Sequence, residues 1–235
     1  MVVKIKKELD RCIEPEKREF YPKFFQAFPG GYGEGDKFLG VRVPFQRKIA
    51  QKYYRQISFE EIETLLQDPY HERRSTGLFL LINKYEKAKT DSEKNTAVEV
   101  YLRNIDGVNN WDLVDVTAPK ILGAHLMDRD RTVLYELANS QSLWKQRIAV
   151  LTTFYFIKNG DYSCTLELAE KFLEHEHDLM HKAVGWMLRE IGKRDYNTEY
   201  QFLTKHYRKM PRTMLRYAIE HFEEPIRQAF LKGEI

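Results

Sequence analysis

Only two cysteines, Cys12 and Cys164, occur in 235 residues, and they lie too far apart to form a CxxC or other ligand-spaced pair. That spacing predicts reduced thiols and gives no basis for a zinc site or a disulfide framework. Long apolar runs are also missing: no stretch approaches the roughly 20 uninterrupted apolar residues a membrane span requires, so no membrane partner is expected. The first residues, Met1-Val-Val-Lys-Ile-Lys-Lys, mix charge into their apolar positions and do not read as a signal peptide. Strand patterns are scarce, and no GxSxG, HExxH or Walker motif supports a serine hydrolase, zinc protease or nucleotide hydrolase. A large excess of one charge is lacking as well. The net charge is only +3, so any polyanion surface must come from how the cations are distributed.

What the chain does have is apolar residues at three-and-four spacing almost throughout, which predicts an all-α protein. Of its residues 43% are apolar and 31% charged, enough for a sizeable core, and residues 1–235 are expected to form a single helical-repeat domain. Aromatics are abundant, with 14 Tyr and 14 Phe, and most are expected in helix–helix interfaces. Ser58 with Glu61 and Thr90 with Glu93 fit capping boxes that start two helices. Further helices are expected near 16–28, 44–56, 70–87, 110–126, 143–158, 162–174, 179–193, 198–209 and 212–231, the last interrupted at Pro225.

The helical segments repeat. His71-Glu-Arg-Arg-Ser-Thr-Gly-Leu, Trp144-Lys-Gln-Arg-Ile-Ala-Val-Leu, His181-Lys-Ala-Val-Gly-Trp and Met214-Leu-Arg-Tyr-Ala-Ile each set a cation before small and apolar residues near a helix start. Arg147, Lys182 and Arg216 follow one another at about 35 residues, and Arg74 lies about two such steps before Arg147, close to the period of paired-helix solenoids. Such a stack predicts a basic stripe along a concave face. In the register that lacks a cation stands Asp115. A row of cations broken by one acid suggests a surface that grips a polyanion, with a single group placed for something else. An inter-repeat salt bridge between Asp115 and Arg147 is the plain alternative.

Trp111 and Asp115, four apart, share a helix face. Pro119 cannot return the usual helical hydrogen bond to the Asp115 carbonyl, and a bend is expected there, for structural or functional ends. Lys182, Trp186 and Arg189 are at helical spacing in a later repeat; Trp144 and Trp186 equally suit the core. His175, His177 and His181 include an i, i+4 pair but no secure third ligand, so no metal is expected. The glycines of Pro29-Gly-Gly-Tyr-Gly-Glu-Gly-Asp-Lys-Phe-Leu-Gly suggest a phosphate loop, yet no apolar strand precedes them, and a connector is the expectation.

Phe38-Leu-Gly-Val-Arg-Val-Pro44, Asn110-Trp-Asp-Leu-Val-Asp115, Trp144-Lys-Gln-Arg147 and Gly185-Trp-Met-Leu-Arg-Glu190 resemble, in order and spacing, the AlkD family of DNA alkylation repair glycosylases. The resemblance covers about residues 20–220. It implies HEAT-like repeats around a basic concave face and excision of N3- or N7-alkylated purines from duplex DNA, without a cofactor and without extruding the base. It further implies Asp115 as the essential carboxylate, Trp111 and Trp186 as flanking rings, Arg147 as the active-site arginine and Tyr32 as a cleft tyrosine. Arg74, Lys182, Arg189 and Arg216 are expected to hold DNA. A monomer in the cytoplasm, nucleoid-associated if bacterial, completes the expectation. Two readings compete with it: a non-catalytic binder of distorted or branched DNA, and a helical-repeat scaffold for acidic proteins.

Overall fold

A computed structural model describes residues 1–235, and every regular element in it is helical. The chain divides into two compact units, Met1–Ile121 and Leu122–Ile235. In the first unit, α1 (Val2–Asp10), α2 (Pro15–Phe24) and α3 (Val43–Tyr53) precede the pair α4 (Phe59–Leu66) and α5 (His71–Lys87). Then come α6 (Asp91–Arg103), a 3₁₀ turn at Ile105–Gly107 and α7 (Trp111–Thr117). The second unit holds α8 (Ala124–Leu126), α9 (Thr132–Ala138), α10 (Leu143–Lys158), α11 (Ser163–Lys171), α12 (Asp178–Gly192), α13 (Tyr196–His206), α14 (Arg212–Ala218) and α15 (Glu224–Lys232). A π-helical turn, Pro119–Gly123, follows α7 and spans the boundary between the units.

Central helices organise each unit. α5 buries residues on nearly all sides, including Leu78, Phe79, Leu80, Leu81 and Ile82, and packs against α3, α4, α6 and α7. A helix buried on nearly all sides needs neighbours that enclose it and partners for its polar groups. In the second unit α10 buries Ile148 to Thr153, then Phe156 and Ile157, between α9, α11 and α12, while α12 packs in turn on α13 and α14. Stacked helical pairs of this kind are a HEAT-like helical-repeat architecture.

Local chemistry explains the helix ends. Ser58 and Thr90 accept from the amides of Glu61 and Glu93, whose carboxylates accept from the cap amides in return, so both predicted boxes form. α2 stops at Phe24 rather than continuing to residue 28, because Gln26 takes a positive φ of 48° that a helix cannot accommodate. The expected 212–231 helix is two: a 3₁₀ turn at Ile219–His221 ends the first, and Pro225 sits in the first turn of α15, where its missing amide hydrogen costs nothing. Two short helices were not expected. α1 is anchored by Ile5 and Leu9 alone, and α9 spans only seven residues.

Gly185 of α12 shows how closely these repeats are stacked. A Cβ there would lie 2.4 Å from the Met214 carbonyl oxygen and 2.6 Å from the Tyr217 Cβ of α14. Gly185→Ala improves helix propensity but forces the two helices apart, so a net loss of about 1–2 kcal/mol is expected in a denaturant titration.

Candidate functional site

The helix starts set the register that the sequence repeat foretold. Arg147 is the fifth residue of α10, Lys182 of α12 and Arg216 of α14, and Asp115 is the fifth of α7. Arg74 is the fourth of α5. Asp115 is half-buried, one turn beyond Trp111 and one turn before Pro119, where the α-helix gives way to the π-turn. A π-turn widens the helix at the point where proline has removed an amide donor.

In the first unit, Trp111 opens α7 behind the N-cap Asn110, whose side-chain oxygen accepts from the Trp111 amide. Its indole Nε1 donates to the Tyr32 hydroxyl at 3.3 Å, and that hydroxyl donates to the Phe24 carbonyl at 3.3 Å. Trp111 also meets the rings of Phe24 and Phe25, at 5.9 and 5.6 Å between centroids. Tyr32 and Trp111 are thus brought together, with the glycine-rich segment laid against the start of α7.

That segment is a connector held by an internal anion. Glu72 of α5, fully buried, accepts from the amides of Leu39, Gly40 and Val41 at 2.9, 2.7 and 3.2 Å. A protein carboxylate occupies the row of amides that a phosphate loop would offer its ligand. Gly40 is required in it: φ is +89°, and a Cβ would lie 2.6 Å from the Glu14 carbonyl oxygen.

The sequence reading overlooked the group that fastens segment to helix. His71 is buried against the rings of Phe25 and Phe38, its Nδ1 3.0 Å from an Asp36 oxygen and its Nε2 2.9 Å from an Asp112 oxygen. Both carboxylates accept, so both ring nitrogens donate and the ring is an imidazolium. Burial alone would lower its pKa, but the two carboxylates, Asp112 foremost, outweigh it and hold the pKa up at about 9. Burial pushes Asp36 the other way, yet bonds from His71 and Arg74 keep its carboxyl below the usual range.

Arg74, expected to hold DNA, is engaged within the protein. Its guanidinium is buried: Nε donates to the Gly107 carbonyl, Nη1 to the Asp68 carbonyl, and Nη2 to Asp36 and Asn109, all at 2.8–3.0 Å. An arginine spent on four protein acceptors has little left for a phosphate; it ties loops to α5.

In the second unit Arg147 is also buried, at 5% exposure, with Nη1 donating to the Leu179 carbonyl at the start of α12. Trp186 sits half-buried, its ring 5.6 Å from that of Phe154 and its Nε1 3.3 Å from Glu190. Glu190 also takes Lys193 at 2.7 Å and Arg194 at 3.1 Å, which outweigh its burial and keep it ionised. Lys182 pairs with Asp178 at 2.7 Å, Arg189 pairs with Glu220, and Arg216 is exposed. His177 caps α12 by accepting from the Leu179 amide, and His175 accepts from the amide of His177 in the turn before it.

Stacked helical pairs without strands define a HEAT-like helical-repeat protein. The sequence matches the family of DNA alkylation repair enzymes over residues 5–222, and the chain belongs to that family. It is thereby an enzyme of DNA alkylation repair. A solved structure described as a predicted DNA alkylation repair enzyme from Enterococcus faecalis shares the fold, with a TM-score of 0.71 at 14% identity over 90% of this chain and 97% of that one. No curated protein matches significantly.

Proposed function

We propose that this protein is a monofunctional DNA glycosylase that releases cationic N3- or N7-alkylated purines from duplex DNA and leaves an abasic site. The observation that carries this reading is the carboxylate of Asp115 at the helix position where α10, α12 and α14 hold cations. Alkylation at N3 or N7 makes the base a cation and a good leaving group, so departure needs little general acid. The developing oxocarbenium of the sugar needs negative charge nearby, which Asp115 supplies while orienting the attacking water.

Trp111, one turn before Asp115, offers a ring face that favours positive charge at the deoxyribose, and the family resemblance gives Trp186 a like role. Each is held by one indole hydrogen bond, to Tyr32 and to Glu190 respectively. Arg147, fixed by the Leu179 carbonyl, supplies preset positive charge for the backbone at the lesion. Lys182, Arg189 and Arg216 hold further phosphates, contacts that give affinity without sequence choice. Because the charge is delivered to the sugar, the base can stay in or near the stack, unlike in enzymes that extrude it.

Duplex DNA carrying 7-methylguanine or 3-methyladenine is expected to lose the free base above the spontaneous rate when incubated with the protein. Folded protein that binds the duplex and releases nothing would overturn the glycosylase in favour of a binder on the same scaffold. Duplex affinity should fall steeply with salt, as counterion release demands; no appreciable duplex affinity at low salt would point to a protein scaffold instead.

A further inference from the structure

We propose that Phe20, Phe24 and Phe28 form an aromatic ridge that stacks on DNA bases beside the lesion; the inference rests on the DNA-directed reading above. Alone among the α-helices, α2 buries none of its residues. Its apolar side chains face outward instead: Phe20 and Phe24, one helical turn apart, are 48% and 47% exposed, and Phe28, in the connector just beyond the helix end, is 50% exposed. Single exposed apolar side chains are ordinary, but adjoining exposed rings such as Phe20 and Phe24 make a patch of the kind that marks a contact site. The half-buried face of α2 is held by Tyr21, whose ring meets Phe25 and Phe38 at 5.8 and 6.1 Å, so the outward rings are not needed to dock the helix.

Two features commit the ridge to nucleic acid. It is continuous with the candidate site: Phe20 stacks on Phe24 at 5.4 Å with 30° between planes, and Phe24 meets Trp111 at 5.9 Å. Cations flank it, with Lys17 Nζ 5.3 Å from the Phe20 centroid and Lys23 one residue before Phe24. Half-exposed aromatic rings beside lysines suit unstacked bases and their phosphates, whereas a folded apolar partner would have to desolvate those ammonium groups. A destabilised step next to an alkylated or missing base is the cheapest place for such rings to enter.

The test is binding, read separately from base release. A duplex carrying one tetrahydrofuran abasic analogue with 2-aminopurine beside it is titrated with wild type and with the triple variant Phe20→Ser, Phe24→Ser, Phe28→Ser. Affinity is expected to fall about tenfold or more, with an unchanged slope of log affinity against log salt, since no phosphate contact is lost. The 2-aminopurine emission change seen with wild type should be lost in the variant. The exposed positions leave circular dichroism and Tm near wild type, and the single variant Phe24→Leu should retain part of the affinity.

Equal affinities would overturn the proposal, as would a loss matched by a shallower salt slope, which would assign the effect to lysines. A dimer that the variant dissolves while DNA binding is unaffected would assign the ridge to a second copy of the chain. Protein that binds and stacks but never releases base would defeat the glycosylase reading and leave the ridge supported.

Discussion

Asp115→Asn is expected to slow release of 7-methylguanine by about two to three orders of magnitude, the usual cost of removing one well-placed electrostatic group. Duplex affinity should stay within about threefold of wild type, because phosphate contacts set affinity and Asp115 makes none. The two effects separate because asparagine keeps the shape of the side chain and removes only its charge. A carboxylate beside backbone phosphates repels them, so any change in affinity should be a gain, largest at low salt. Single-turnover kinetics at saturating enzyme measure the rate, and fluorescence anisotropy the binding. If Asp115 served chiefly as a structural ion pair, its substitution would instead lower Tm, with affinity and rate falling together. A rate within a few-fold of wild type from a stable, DNA-binding variant would remove Asp115 from the chemistry.

The helical register was readable because it is local. Counting from each helix start makes Arg147, Lys182, Arg216 and Asp115 the fifth residue of its own helix. What the sequence hid depends on groups distant along the chain. Arg74 shares the repeat pattern, but its acceptors Asp36, Gly107 and Asn109 lie more than 30 residues away along the chain, and they hold its guanidinium as a buried tether. His71 stood in plain view as the first residue of α5, yet nothing local marks Asp36 and Asp112 as its partners. The bond from Trp186 to Glu190, four residues on, was legible from helical spacing and went unread. The helices that escaped, α1 and α9, are short and bury two or three side chains each, too few to set a period.

His71→Gln is expected to be the most destabilising of the single substitutions considered. Glutamine cannot serve both carboxylates as a cation, and breaking a buried ion pair from one side costs about 3–5 kcal/mol; for a chain of this size that is a fall in Tm of roughly 6–20 °C. The pH dependence identifies the cause. An imidazolium whose folded pKa is held at about 9 contributes stability that is fully present below the unfolded value near 6.5 and is lost as pH rises through 9. The difference in stability between wild type and His71→Gln should therefore be greatest at and below pH 6.5 and shrink toward pH 9, followed by urea titration at each pH. Adding Asp112→Asn to His71→Gln removes one of the stranded carboxylates and should recover part of the loss, a coupling that a double-mutant cycle reads directly. A difference independent of pH from 6 to 10 would mean that His71 acts by shape alone. Phe25 packs on both the His71 ring and the Trp111 indole, so loss of the clamp should reach the indole through it. The near-UV circular dichroism of wild type should change over the same alkaline range in which the stability is lost.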